Sequence, residues 1–142
     1  MTYALRAAVA RLKSDGFTCV LRGDGMETAS KERGVLPLVK LLDGGGNYFG
    51  WSAADRVVGR AAAMLYFRLG IKELYALVIS EGAADALRCG GVRVYAEEMT
   101  RAIINRRGDG ICPMEECVAG VSSPAEAEKL IRNRLKHMGL YG

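Results

Sequence analysis

The sequence predicts an α/β fold with a mixed sheet, and three observations carry that reading. Leu74 to Ser80 is a continuous apolar run bounded by Lys72-Glu73 and by Ser80-Glu81-Gly82, the pattern of a strand buried on both faces. A helical segment from Ala83 to Leu87 or Cys89 and a second strand, Val92 to Tyr95, follow within a few residues. Strand, helix and strand this close together imply a parallel pair joined by a right-handed crossover. Near the other end, Phe17 to Arg22 and Met26 to Ser30 are β-prone and flank Gly23-Asp24-Gly25, which reads as an antiparallel hairpin. With 142 residues, half of them hydrophobic, the chain is long enough for one domain with a sizeable core.

The remaining elements follow in order. Leu5, Ala8, Val9 and Leu12 fall at helical spacing within residues 3 to 13, and Asp15-Gly16 ends that helix. Cys19, inside the hairpin, is expected in the core. Val35 to Leu42 is a short helix with Pro37 in its first turn, stopped by Asp43-Gly44-Gly45-Gly46. The loop that follows matches neither G-x-G-x-x-G nor a P-loop. Ser52 to Asp55 fits a capping box, so a helix is expected from there to Leu69, stopped by Gly70. Its small residues Gly59, Ala61, Ala62 and Ala63 suit a helix pressed against a sheet. Glu97 to Ile104 reads as a short helix, and Cys112 to Ala119 as another. Ser123-Pro124-Ala125-Glu126 gives an N-cap, a proline at the first position and a glutamate at the third. The helix it opens ends at Gly139 and buries Leu130, Ile131, Leu135 and Met138.

Composition narrows the function classes. The net charge of +4 comes from 20 basic and 16 acidic residues. The largest basic cluster, Lys129, Arg132, Arg134 and Lys136, lies late in the last helix, where positive charge complements the helix dipole. His137 belongs to the same group. No aromatic residues interleave with these charges, so nucleic acid is a disfavoured partner. No apolar run approaches the roughly 18 residues of a membrane span, and Met1 to Asp15 lacks a signal-peptide pattern. A cytoplasmic location and no membrane partner are expected. Four cysteines and one histidine show no CxxC, HxE or HExxH spacing, and Cys112 and Cys117 stand five apart. No metal site and no cofactor are expected. Arg-Gly-Asp-Gly occurs at Arg22 and at Arg107, each time as turn chemistry.

The stretch from Ala102 to Cys117 is where a site is expected. Ile103-Ile104 hands over to a loop with Asn105, Arg106, Arg107 and Asp109, in which Gly108 and Gly110 can take positive φ. Cys112 stands at an N-cap, Pro113 at the first helical position and Glu115 at the third. Sulfur caps backbone N–H groups poorly, whereas a helix start favours a thiolate and binds anions. A purely structural turn is the competing reading. Ser80 and Glu81 lie at the carboxyl end of the buried strand, where ligands bind in parallel sheets, and Asp55 and Arg56 are placed at the mouth of the central helix.

The expected site is therefore a pocket at the carboxyl edge of the sheet, lined by Asp55, Arg56, Ser80, Glu81, Asn105, Arg106 and Cys112, with Met114 and Glu115 beside it. Its expected partner is a small polar or anionic molecule such as a nucleotide or nucleobase, and self-association is left open. Were the domain an enzyme, Cys112 would be a nucleophile or redox thiol, Asp55 or Glu81 would move protons, and Arg106 would hold an oxyanion or phosphate. Were it an interaction module, Tyr48, Phe49 and Trp51 would make the contact.

Taken together, Asp55-Arg56-Val57-Val58-Gly59-Arg60-Ala61-Ala62-Ala63, Ala76 to Glu81, Ile104-Asn105-Arg106 and Ile111-Cys112-Pro113-Met114-Glu115 resemble a small bacterial domain family of unknown function. The resemblance covers nearly the whole chain. It implies a cytidine-deaminase-like fold, a three-layer α/β/α sandwich whose mixed sheet starts with a β-hairpin. It also implies that the Asp55 segment takes the place of the deaminase His-Ala-Glu, and Ser80-Glu81 that of Pro-Cys-x-x-Cys. Neither motif is present, so zinc-dependent deamination is not expected.

Overall fold

A computed structural model describes residues 1–142. Its elements run α1 (Tyr3–Ser14), β1 (Cys19–Gly23), β2 (Met26–Ser30), α2 (Leu36–Asp43), β3 (Ser52–Val58), α3 (Arg60–Leu69), β4 (Glu73–Ser80), α4 (Glu81–Cys89), β5 (Arg93–Thr100), α5 (Pro113–Cys117) and α6 (Pro124–His137). The five strands form one mixed sheet in the order β2-β1-β3-β4-β5. The hairpin turns at Asp24-Gly25, both at positive φ. β1 is antiparallel to both β2 and β3, whereas β3, β4 and β5 are parallel. The chain steps from β3 to β4 to β5 in one direction, so right-handed crossovers put α3 and α4 on the same face.

Two cores of unequal size result. On one face α1 buries Leu5, Ala8 and Leu12 against Val20, Ala54 and Tyr75. On the other, α2, α3 and α4 share a cluster of 28 buried residues with Met114 of α5 and Ala127, Ile131 and Leu135 of α6. α6 lies over α3 as an outer layer. Of the apolar side expected for this helix, Leu130 is only half-buried and Met138 is exposed, because Ala127 rather than Leu130 faces α3.

Two expected helical segments are strands. Ser52 to Asp55 belongs to β3, and the helix starts at Arg60 with Gly59 as its N-cap. β3 is the central strand, paired to β1 on one side and to β4 on the other. Ala53 and Ala54, good helix formers, are wholly buried between the two layers. The supposed capping side chains have other partners: Ser52 Oγ donates to Glu73 Oε2 at 2.6 Å, and Asp55 accepts from Tyr66. Likewise Glu97 to Thr100 continues β5, in register with Leu77 to Ser80 of β4, so sheet pairing overrides the helical preference of Ala-Glu-Glu-Met.

α1 is fastened to the sheet at both ends. At its start the Thr2 hydroxyl and Ser52 both donate to Glu73, which is wholly buried at the first position of β4. Burial works to raise Glu73, and the bonds from Ser52 and Thr2 with the charge of Arg93 outweigh it, holding the carboxyl below its ordinary range. At its end the Arg56 guanidinium donates to Phe17 O at 2.6 Å and Leu12 O at 3.0 Å. Trp51, expected at a docking surface, is 4% exposed and packs in the larger core, with Nε1 donating to Asp24 at 3.2 Å. Phe49 beside it stays 80% exposed.

Candidate functional site

The carboxyl ends of β3 and β4 lie side by side, with Val58 paired to Ile79, so Gly59-Arg60 and Ser80-Glu81 open two neighbouring helices. Ser80 is buried and its hydroxyl accepts from Ala83 N at 3.2 Å, making it the N-cap of α4. Glu81, the first residue of that helix, is exposed.

α3 is capped from elsewhere in the chain. Glu115 of α5 accepts from Arg60 N at 2.7 Å through Oε1 and from Ala61 N at 2.8 Å through Oε2. A carboxylate held by the first N–H groups of a helix satisfies two orphan donors and faces the positive end of the dipole. The approach depends on Gly59, where an added Cβ would stand 2.4 Å from the Glu115 carboxyl carbon. The sequence pattern placed Glu115 as the reciprocal partner in a capping box on its own helix. Cys112 does occupy the N-cap of α5, and its side chain makes no capping bond. Its backbone N–H is spent on Ile103 O at 3.0 Å and the residue is half-buried. Met114 is buried in the larger core. Nearby Cys117 has its thiol raised, chiefly by burial.

Asn105 builds the turn before α5. Its Oδ1 accepts from Gly108 N at 2.8 Å and from Asp109 N at 3.3 Å, while Nδ2 donates to Asp109 Oδ1 at 2.9 Å. Ile104 and Ile111 form a bridge across its neck, and Gly108 takes the positive φ the turn requires. Arg106 and Arg107 project from this turn exposed.

Asp55 and Arg56 do not join the carboxyl-edge residues. Arg56 is committed to the two carbonyls near α1. Asp55 points into the larger core, where the Tyr66 hydroxyl donates to it at 2.7 Å and Cys19 Sγ lies 3.3 Å from the same hydroxyl. Burial pushes the Asp55 carboxyl up to about 6, against the downward pull of Tyr66 and the N–H groups of Val57 and Arg56. Burial also raises the Tyr66 hydroxyl and the Cys19 thiol, and the Asp55 charge raises each further.

From this edge an open groove of about 690 Å³ runs between α3, α4 and the start of α6. Arg60, Met64 and Phe67 form one wall, Gly82 and Asp85 the other, and Ser122 closes the end. Arg60, one of the groove's lining residues, donates to Val121 O through Nε at 2.9 Å and Nη2 at 2.7 Å, and its Nη1 makes no hydrogen bond. Arg60 and Asp85 were not singled out in the sequence; Arg60 directly after Gly59 at the end of an apolar β-branched pair was the available signal.

The family model for a domain of unknown function, DUF1893, matches residues 7–135. The chain belongs to this family. The crystal structure of a DUF1893 family protein from Thermotoga maritima is similar to it with a TM-score of 0.86 at 24% identity, covering 94% of this chain and 91% of that one. No curated protein matches this DUF1893 chain. No helix of this DUF1893 domain is long and apolar enough to cross a membrane.

Proposed function

We propose that this DUF1893 domain binds a small polar or anionic molecule, of nucleotide or nucleobase size, in the groove between α3, α4 and α6. The observation that carries the reading is Arg60: a guanidinium fixed by two bonds to Val121 O, with Nη1 making no hydrogen bond, lines a groove large enough for such a ligand. A carboxylate or phosphate group would take Arg60 Nη1, Phe67 and Met64 would accept an apolar or planar part, and Asp85 would accept a hydrogen bond from it. Gly82, in the first turn of α4, lines the same groove.

The strand order, with β1 alone running against its neighbours on both sides, supports reading the scaffold as cytidine-deaminase-like. On that reading the zinc ligands would come from the first turns of α3 and α4. Those turns carry Arg60-Ala61-Ala62 and Ser80-Glu81, and no three His, Cys, Asp or Glu side chains converge anywhere in the chain. A guanidinium, two methyl groups, a capping hydroxyl and one exposed carboxylate do not fit zinc. Zinc-dependent deamination is therefore no part of the function proposed for this groove.

Gly82 supplies the test. A Cβ there meets nothing within 4 Å and its backbone suits any residue, so Gly82→Trp fills the groove without disturbing the fold. Nucleoside monophosphates, nucleobases and sugar phosphates are screened by thermal shift and then by calorimetry. A compound that stabilises the wild type and loses at least tenfold in affinity with Gly82→Trp and with Arg60→Gln supports the reading. No stabilisation by any compound, or binding indifferent to Gly82→Trp, removes it.

A further inference from the structure

Apart from this groove, with which it shares no lining residue, a hollow of about 180 Å³ lies between the hairpin and α2. Cys19, Leu21, Thr28, Ser30, Pro37 and Leu41 are among the residues that line it. Behind the sulfur stand Tyr66 and Asp55, at 3.3 and 2.7 Å along the row, all three side chains buried. The Tyr66 proton is committed to the carboxylate, so the proton between sulfur and phenol oxygen is the thiol's own. The row is therefore directed, S–H to O–H to carboxylate, and the residue at its sulfur end is one that lines the hollow.

We propose that Cys19 is a relay-activated nucleophile which attacks a compact, neutral electrophile admitted to this hollow. As the new bond forms at Sγ, the thiol proton passes to Tyr66 and the Tyr66 proton passes to Asp55 Oδ2. The leaving group departs with its bonding electron pair. The single negative charge starts on Asp55 and ends on the leaving group, so the interior never holds a separated pair, which a low-dielectric core would penalise heavily. Neutrality of the electrophile follows from the surroundings. Lys40 and Glu32 at the rim satisfy each other at 2.9 and 3.0 Å, and the Asp55 charge behind the sulfur repels anions. Size follows from the hollow, which holds a molecule no larger than a nucleobase. Burial and the neighbouring carboxylate raise the Cys19 thiol, so direct ionisation gives almost no thiolate at neutral pH and the relay is the route left open.

The groups that face Asp55 are Tyr66 from α3 and, beyond its hydroxyl, Cys19 from β1. Arg56 beside Asp55 is turned onto the Leu12 and Phe17 carbonyls, and Glu32 and Lys40 stand at the rim. The test uses methyl methanethiosulfonate, which is small and neutral, with the folded chain and site-resolved mass spectrometry from pH 5 to 9. A disulfide forms at Cys19 and methanesulfinate leaves. The wild-type rate should rise through about pH 6, where Asp55 loses its proton, and then level off. Asp55→Asn and Tyr66→Phe should lower the rate at pH 7 at least tenfold. Thr28→Phe, which closes the hollow without touching the relay, should slow Cys19 and leave exposed Cys89 unchanged. Equal rates in wild type and Asp55→Asn, a rate climbing tenfold per pH unit up to pH 9, or labelling indifferent to Thr28→Phe would overturn the proposal. If the relay variants unfold, all four cysteines label together, and Thr28→Phe with the wild-type pH profile decides.

Discussion

Asp55 is a carboxyl that folding moves up, and that sets the sign of its contribution. Its folded value of about 6 lies above the ordinary 3.8, so the native state holds this proton more tightly than the unfolded chain does. The stability it contributes is complete below about pH 4 and is lost as the pH rises through 6. The interval between those two values, at about 1.4 kcal/mol for each pH unit, is worth about 3 kcal/mol. Asp43, Glu73 and Glu128 are lowered, Asp43 first by its bond from Arg132, Glu73 and Glu128 by hydrogen bonds that outweigh burial. Their contributions run the opposite way, present above their unfolded values and lost toward acid. Those contributions are common to wild type and to Asp55→Asn, so the comparison isolates residue 55. In urea unfolding, the wild type should lose about 3 kcal/mol relative to Asp55→Asn between pH 4 and pH 7. A constant difference across that range would mean that the carboxylate is solvated or better paired than its contacts with Tyr66 and two N–H groups provide.

At the scale of an element, the start of α3 shows how one helix depends on another. Its N-cap residue is a glycine with no side chain, and the cap comes from Glu115, 55 residues beyond the Arg60 whose N–H it accepts. Glu115→Ala should cost about 1 to 2 kcal/mol, the usual worth of a lost cap with a charged acceptor. Gly59→Ala should cost about as much, because the new methyl displaces the same carboxylate. The pair must couple: once Glu115 is gone the methyl has nothing to displace, and the double variant should be less destabilised than the sum by about 1 kcal/mol. Additive losses in chemical denaturation would show that Glu115 does not cap α3. The same junction explains what the sequence could not reveal. Ser123 was legible as a helix start because an N-cap bonds within three residues of itself, whereas Ser80, read as the end of a strand with the helix from Ala83, is the N-cap of α4. The hairpin, the parallel pair and the Asn105 turn were legible for the same local reason. Ser52 to Asp55 carries an equally good local pattern, and only pairing to β1 and β4, from remote segments, makes it a strand. The Asp55 row with Tyr66 and Cys19, like the Glu115 cap, is a contact between segments whose sequences carry no mutual mark. The expected meeting of Asp55 with carboxyl-edge residues failed at this step: a carboxylate placed on a helix mouth lies on a strand facing the core.

The whole molecule is a sheet covered unequally, one helix over a six-residue cluster and five over a cluster of 28. α1 is the helix that covers the smaller cluster, so its departure uncovers those six residues and leaves the cluster of 28 closed. What it gives up on leaving is Leu5, Ala8 and Leu12 from their contacts, the Thr2 bond to Glu73 and the carbonyls held by Arg56. Native-state hydrogen exchange at low denaturant should therefore show the α1 amides opening at a lower free energy, and with a shallower denaturant dependence, than those of α3 and β4. Ile131→Ala sharpens the expectation. Ile131 is wholly buried in the larger core and stays buried when α1 leaves, so its loss should lower global stability by about 2 to 5 kcal/mol and leave the α1 opening unchanged. Leu12→Ala removes a contact broken in both events, so it should lower the α1 opening and the global free energy equally. If Ile131→Ala shifts the α1 amides as far as those of β4, the two faces unfold together and the bonds through Glu73 and Arg56 couple them more strongly than the imbalance of their cores separates them.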